Sequence, residues 1–368
     1  MVDFGVYLHI PFCAHRCDYC AFATYADRDN LMDAYVRALK AEIARETDLG
    51  LPVATSVFFG GGTPSRLPAE ALLEVLEMIP RTSDAEVTVE CNPEDASLAR
   101  LRAYRAGGVN RMSFGIQSTR PAVLADLGRR HGTMAHREVA AAVTDAGFAT
   151  WNMDVIIGSR AESLLDVEQT LEDLLGLESP PSHLSVYALT PEPGTPLGRD
   201  KSRHPDEDET ADAYELVAER LENAGYEWEE ISNWARPGHE CRHNHLYWNQ
   251  GDYRGFGSAA HSHSNGRRFW NVRTPDRYIE LMTAGDSPQA GEEVLSEATR
   301  NFERDSLSLR TRRGAPLEAF DSLVEVAHLV DVEAGRVTLN VPGRLLANQV
   351  IVRLRTTEPD EPSGSLGQ

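Results

Sequence analysis

Three cysteines within eight positions, Cys13, Cys17 and Cys20, are the densest concentration of soft ligands in this chain. The stretch reads Tyr7-x-His9-Ile10-Pro11-Phe12-Cys13-x-x-x-Cys17-x-Tyr19-Cys20 and follows an apolar run predicted as a strand, Gly5–Ile10. Thiolates are the usual ligands of iron–sulfur clusters. Three of them on one loop can hold a [4Fe–4S] cubane and leave its fourth iron open to a small molecule. The competing reading is zinc, with His9 or His15 as fourth ligand; structural zinc favours C-x2–4-C pairs separated by a longer spacer, which this compact triplet fits poorly.

Other polar residues stand at the ends of predicted strands. Gly60-Gly61-Gly62-Thr63-Pro64-Ser65 follows the second strand. A backbone without side chains can approach a ligand and offer carbonyls to an ammonium group, although such a triplet alone is more often a turn. Glu90, in Glu90-x-Asn92-Pro93, ends the third strand, where a carboxylate can take both hydroxyls of a ribose. The plainer reading there is a capping Asn92 and a solvated acid. Gln117 ends the fourth strand, Arg129 follows twelve residues on, and Asp154 lies inside the apolar fifth. A carboxylate at an inward strand position is costly unless it is paired or binds something. Further along, Cys241-Arg242-His243-Asn244-His245-Leu246-Tyr247-Trp248 sets imidazoles beside two aromatics, and Gly255-Phe256-Gly257-Ser258-Ala259-Ala260-His261-Ser262 follows. A neutral imidazole can ligate haem iron and aromatic faces can stack on a porphyrin, while packing in a core is the ordinary fate of such residues.

The elements that must position these groups alternate. Strands are predicted at Gly5–Ile10, Ser56–Phe59, Glu86–Cys91, Arg111–Ile116, Trp151–Ile157 and His183–Leu189. Helical faces lie between them at Leu31, Tyr35, Val36, Leu39 and Ile43, at Leu72, Leu73, Leu76 and Ile79, and at Leu164, Val167, Leu171 and Leu174. Six βα units in a row predict an α/β fold, a partial (β/α)6 barrel, with a doubly wound sheet as the alternative. A helix over 206–225 closes this part, residues 1–225. Residues 226–290, rich in Trp, Tyr, Asn, His and Gly, read as a strand-and-loop extension. Residues 291–357 read as a small C-terminal unit with a strand at Val337–Val341, a turn at Gly343 and a helix at Leu345–Leu354; 358–368 reads as a disordered tail.

The cysteine stretch resembles that of the radical S-adenosylmethionine (SAM) superfamily, and more narrowly the oxygen-independent coproporphyrinogen oxidase family. The resemblance covers most of the chain. It implies a [4Fe–4S] cluster on Cys13, Cys17 and Cys20 whose open iron chelates SAM, and cleavage of the sulfonium bond by one electron to release a 5′-deoxyadenosyl radical. It implies SAM contacts at Tyr7, Gly61, Gly62, Thr63, Glu90, Gln117, Arg129, Asp154 and Ala188. It also implies a winged-helix-like character for the C-terminal unit. Two departures stand out. The family's Gly-x-Pro-Gly turn after Asp154 is here Gly158-Ser159-Arg160-Ala161, which changes the loop's preferred backbone. The decarboxylating oxidases carry a further Cys two positions after the third, where this chain has Phe22. Phe22 and His243-Asn244-x-x-Tyr247-Trp248 are similar instead to the haem-chaperone branch, which implies haem as ligand, with His243, Tyr247 and Trp248 as its site; His245, Cys241 and His261 are the alternative ligands, and His261 could equally face the SAM pocket. A coproporphyrinogen III oxidase is the runner-up, and whether SAM is turned over is left open.

Composition bounds the rest. The 368 residues carry 36 Lys and Arg against 57 Asp and Glu, a net charge of −21, with no basic run longer than Arg129-Arg130 or Arg312-Arg313. A phosphate-tracking surface needs clustered cations, so nucleic acid and an RNA-modifying activity are disfavoured. Five cysteines in this spacing fit no secreted disulfide framework. The first ten residues lack a basic n-region, and the longest apolar runs are strand-sized. The expected setting is the cytoplasm, with a peripheral place at the membrane as alternative; the partners expected are haem, an unidentified acceptor and a reductant of flavodoxin or ferredoxin type.

Overall fold

The computed structural model describes residues 3–355; the tail expected at 358–368 lies outside them. Six strands run parallel and neighbour one another in chain order: β1 (Phe4–Ile10), β2 (Ala54–Gly61), β3 (Arg81–Cys91), β4 (Arg111–Gln117), β5 (Thr150–Ile157) and β6 (His183–Ala188). Parallel neighbours need crossovers, supplied here by α1 (Met32–Asp48), α2 (Ala69–Glu77), α3 (Leu98–Ala106), α4 (Pro121–Asp126), α5 (Ala135–Asp145) and α6 (Leu164–Leu175). A short α7 (Pro196–Arg199) and a long α8 (Glu207–Asn223) follow β6. The predicted faces are the buried ones: Tyr35, Leu39 and Ile43 on α1, Leu72 and Leu76 on α2, Val167, Leu171 and Leu174 on α6. Leu164 differs. It is the first residue of α6, beyond the reach of the sheet, and is exposed. Ser163 caps that helix in a reciprocal box with Asp166.

The aromatic segment after α8 is more ordered than a strand-and-loop extension. A hairpin of β7 (Glu227–Glu230) and β8 (Asn233–Ala235) adds antiparallel strands beyond β6. The stretch Arg242–Trp248 is a helix, α9, against the expectation of loop. Its seven residues are too few for periodicity to register. The chain then crosses to the opposite edge, where β9 (Asp252–Phe256) pairs in parallel with β1. Antiparallel β10 (His261–Ser264) and β11 (Arg267–Asn271) follow, then α10 (Pro275–Ala284) and the edge strand β12 (Gln289–Val294). One sheet of twelve strands results, and the segment read as a single extension contributes strands toward both of its edges. The boundary expected at 290/291 falls inside β12.

Beyond α11 (Glu297–Leu309) lies a three-stranded sheet of β13 (Ala315–Pro316), β14 (Val330–Glu333) and β15 (Arg336–Leu339), with the two short helices α12 (Val341–Leu345) and α13 (Ala347–Ile351). The helix expected at Leu345–Leu354 is present only as α13, and Gly343 lies inside α12 rather than in a turn. A Cβ there would come within 1.8 Å of the Leu329 carbonyl oxygen, which only glycine permits. Leu309, Leu329, Val337 and Val350 belong to the same continuous apolar core as the large sheet, and Arg344 lies 4.0 Å over the Trp228 ring.

Candidate functional site

Every strand from β1 to β5 ends on the same rim, and the chemistry collects there. After β1, the chain turns at Pro11 and Phe12 into the cysteine loop. Both ends of that loop are pinned by backbone bonds, Cys13 N–H to Tyr25 O (3.1 Å) and Tyr25 N–H to Pro11 O (2.8 Å). Its middle is held from across the site, where Asp18 N–H donates to Leu127 O and Arg203 pairs with Asp18 at 2.9 Å. Cys13, Cys17 and Cys20 line a cavity of about 140 Å3 together with Gly61, Gly62, Thr63, Glu90, Gln117, Arg129 and Asp154. Thr63 Oγ1 donates to Cys13 Sγ at 3.5 Å and Arg129 Nη1 to Cys17 Sγ at 3.4 Å. Burial raises the Cys13 and Cys20 thiols, and the Thr63 hydroxyl beside Cys13 works the other way.

This donor set fits a cluster better than a single ion. The thiols surround a cavity rather than converge on a point, and among the described residues no three His, Cys, Asp or Glu side chains are placed to hold one metal ion. His9, offered as a zinc ligand, has both ring nitrogens engaged, Nδ1 with Tyr7 Oη (3.1 Å) and Nε2 with Ala23 O (3.0 Å). Cys91 is buried at the end of β3 on the wall of the same cavity, its thiol donating to Asn92 O at 3.2 Å, and Cys241 is buried outside it, its thiol against Glu86 at 3.6 Å.

The glycines are held by their surroundings. Gly61 has φ +109°, and a Cβ there would meet the His9 ring at 2.5 Å; one on Gly62 would meet the Phe12 carbonyl oxygen at 2.8 Å. Gly61 N–H donates to Glu90 Oε2 at 3.2 Å. Glu90 is otherwise short of partners, and burial, then the nearby Asp154, pushes its carboxyl up to about 8. Asp154 rises to about 6 for the same first reason, against bonds from Asn152 (2.7 Å) and Ser113 (3.5 Å). Two half-buried acids with raised pKa facing one cavity are suited to a ligand that brings hydroxyls and positive charge. Gln117 sits at φ +67° on a bulge against β5, with its Oε1 buried and unpartnered among the described residues. Arg129 bonds Gly115 O and Asn92 Oδ1, leaving a buried Nε without a partner. Non-glycine positive φ and unpartnered buried polar atoms are the marks of a ligand site.

Of the other SAM-type residues, Tyr7 lines a neighbouring cavity of about 440 Å3 that shares Gly61 and Glu90 with the first. Ala188, exposed at the end of β6, lines a third of about 490 Å3 that opens into the barrel. Phe22 lies on the rim of all three and is 69% exposed. The altered loop Gly158–Ala161 lines none of them; it is tied down by Glu162 accepting from Gly158 N–H and by Ser159 bonding Asp126.

The proposed haem residues do not converge. His243 is fully buried; Nδ1 meets Ser56 Oγ at 2.9 Å, Nε2 meets Tyr247 Oη at 2.8 Å, and its ring stacks on Phe58 at 5.3 Å. Burial holds it neutral, with a pKa near 3. Neither nitrogen faces a cavity, so the structure uses His243 to dock α9 on β2. Tyr247, one turn on, does line the 440 Å3 cavity. Trp248 is a further 100° round the helix, half-buried, and lines none of the three cavities.

Sequence reasoning missed the support beneath the rim. Glu42, buried on the apolar face of α1, accepts from Tyr278 Oη (2.6 Å), Asn271 Nδ2 (2.9 Å) and Gly257 N–H (2.9 Å). Tyr35 Oη donates to His9 O at 2.8 Å and accepts from Ser258 N–H at 2.8 Å. Together they clamp the Gly255–Ser262 segment to β1. An acid between Leu39 and Ile43 was the available signal. Arg111, buried and reaching His239 O (2.8 Å), lines the inner cavity and carried no signal beyond its type.

Residues 7–174 match the family model described as the Radical SAM superfamily. The chain is 39% identical over 370 residues to a "Heme chaperone HemW" of Mycobacterium tuberculosis (strain ATCC 25618 / H37Rv), spanning 95% of this chain and 94% of that one. It is 38% identical over 265 residues to the Escherichia coli (strain K12) protein of the same name, spanning 70% and 69%. Among solved structures, it superposes on E. coli coproporphyrinogen III oxidase, described as a radical SAM enzyme, with a TM-score of 0.83 over 95% of this chain and 89% of that one. At 22% identity, that last likeness shows the shared fold.

Proposed function

This chain belongs to the radical SAM superfamily and, within it, to the HemW family of haem chaperones; on that premise we propose that it binds haem, carries a [4Fe–4S] cluster with SAM beside it, and delivers the haem to an acceptor protein. The observation that carries the reading is the likeness to a haem chaperone along nearly the whole of both chains, 95% and 94%. Cys13, Cys17 and Cys20 would hold the cluster, which when bound supplies single electrons to SAM. The chain's own residues do the rest. The Gly60–Gly62 backbone, with Thr63, receives the methionyl end. Glu90 takes the ribose hydroxyls, and Gln117, Arg129 and Asp154 close the polar wall, with Tyr7 and Ala188 at its two ends. Phe22, standing where the oxidases have a cysteine, argues against decarboxylation. An acidic chain with no basic run argues against nucleic acid. No helix among the described residues is long and apolar enough to cross a membrane; the cytoplasm is the proposed location and a flavodoxin- or ferredoxin-type protein the proposed reductant.

The test is anaerobic reconstitution followed by two incubations. With haem, the protein should take up about one equivalent and release it to an apo-haemoprotein. With coproporphyrinogen III, SAM and reductant, it should form no protoporphyrinogen IX. Robust conversion to protoporphyrinogen IX would replace the chaperone reading with the oxidase.

A further inference from the structure

Five histidines lie between residues 226 and 272, and the structure occupies four of them. His243 spends both nitrogens inside the protein. His245 pairs with Glu229 at 3.3 Å. His239 Nδ1 meets Thr150 Oγ1 at 2.8 Å. His263 meets Gly251 O at 2.9 Å and accepts from Gly266 N–H at 3.1 Å. His261 alone is exposed at a cavity wall with no hydrogen bond to its ring among the described residues. Antiparallel pairing sets it directly opposite Trp270, and the two rings stack at 5.7 Å and 26°. The cavity is the one of about 440 Å3 beside the cluster loop. The exposed ring of Phe22 also lines it, as does Arg273, an exposed cation without an acid partner among the described residues.

An iron porphyrin asks for an axial nitrogen, an apolar face and a cation for its carboxylate edge. Resting on the haem-binding reading above, we propose that His261 is the axial haem ligand, positioned by its stack on Trp270, with Phe22 against the macrocycle and Arg273 on a propionate. The cavity is also lined by Tyr7 and shares Gly61 and Glu90 with the cluster pocket, so this places haem next to the SAM site, beside Tyr247 of α9 and not on His243.

The experiment titrates the cluster-loaded full chain with ferric haem, using wild type, His261→Ala, His261→Cys and Arg273→Gln, with iron and sulfide content and the SAM-induced change in the reduced cluster's electron paramagnetic resonance signal recorded for each. His261→Ala should bind haem at least tenfold more weakly and lose the wild-type ligation bands. His261→Cys should bind with a thiolate-type spectrum, since only a residue at the iron can change its ligand. Arg273→Gln should weaken binding several-fold with the spectrum unchanged. Wild-type affinity and spectrum in both His261 variants would overturn the assignment while leaving haem binding intact. A His261→Ala protein that keeps haem but loses the SAM response would also overturn it, placing the imidazole in the SAM pocket. Wild-type protein that takes up no haem would overturn this and the reading beneath it together.

Discussion

At the scale of single residues, the site is a set of groups held in unfavourable states. Glu90 is the clearest. A carboxyl raised from 4.5 to about 8 on folding binds its proton more tightly in the folded chain. Its contribution to stability is therefore complete below pH 4.5 and is lost as the pH rises through about 8; Asp154 adds the same sign between 3.8 and about 6. Glu90→Gln should therefore raise the melting temperature of the SAM-free protein at pH 8 and flatten its fall between pH 5 and 8. The same change should weaken SAM binding by about 1.5–3 kcal/mol through lost charge-assisted bonds. Thermal unfolding against pH, with and without SAM, checks both, and a lower melting temperature for the variant at pH 8 would contradict the sign. The cysteines make a separate prediction. Alanine at Cys13, Cys17 or Cys20 should abolish the roughly four irons and four sulfides per chain of a cubane, while Cys91→Ala should leave them unchanged.

At the scale of elements, α9 and β2 are joined by one buried imidazole. His243→Ala removes two hydrogen bonds and the ring packed on Phe58, and should cost about 2–4 kcal/mol of stability. The haem spectrum of the protein that remains folded should not change; a shifted spectrum would return His243 to the iron. The end of β2 behaves differently. Gly61→Ala would force a Cβ against the His9 ring at a positive φ, disturbing the rim more than the core. SAM affinity should fall at least tenfold with a smaller change in melting temperature, as read by SAM titration beside calorimetry.

At the scale of the whole molecule, the C-terminal unit completes the core and is not an appendage. Its Leu309, Val337 and Val350 lie in the same apolar cluster as the barrel, and Glu230 of β7 bridges to Thr311. A chain ended after Val294 should melt at lower temperature and bind hydrophobic dyes; unchanged melting would mark the unit as independent. The sequence alone determined the cluster loop, the glycine turn, Glu90, Asp154 and six consecutive βα units. These depend on local spacing and on periodicities that each segment carries within itself. Tertiary structure decided which histidine faces a cavity. That depends on strand pairing between residues far apart, β9 beside β1, which seats the hairpin carrying His261 and Trp270, and on which imidazoles find partners such as Ser56 across 187 positions. A short motif rich in His and aromatics names the candidates, but only packing tells a spent imidazole from an available one.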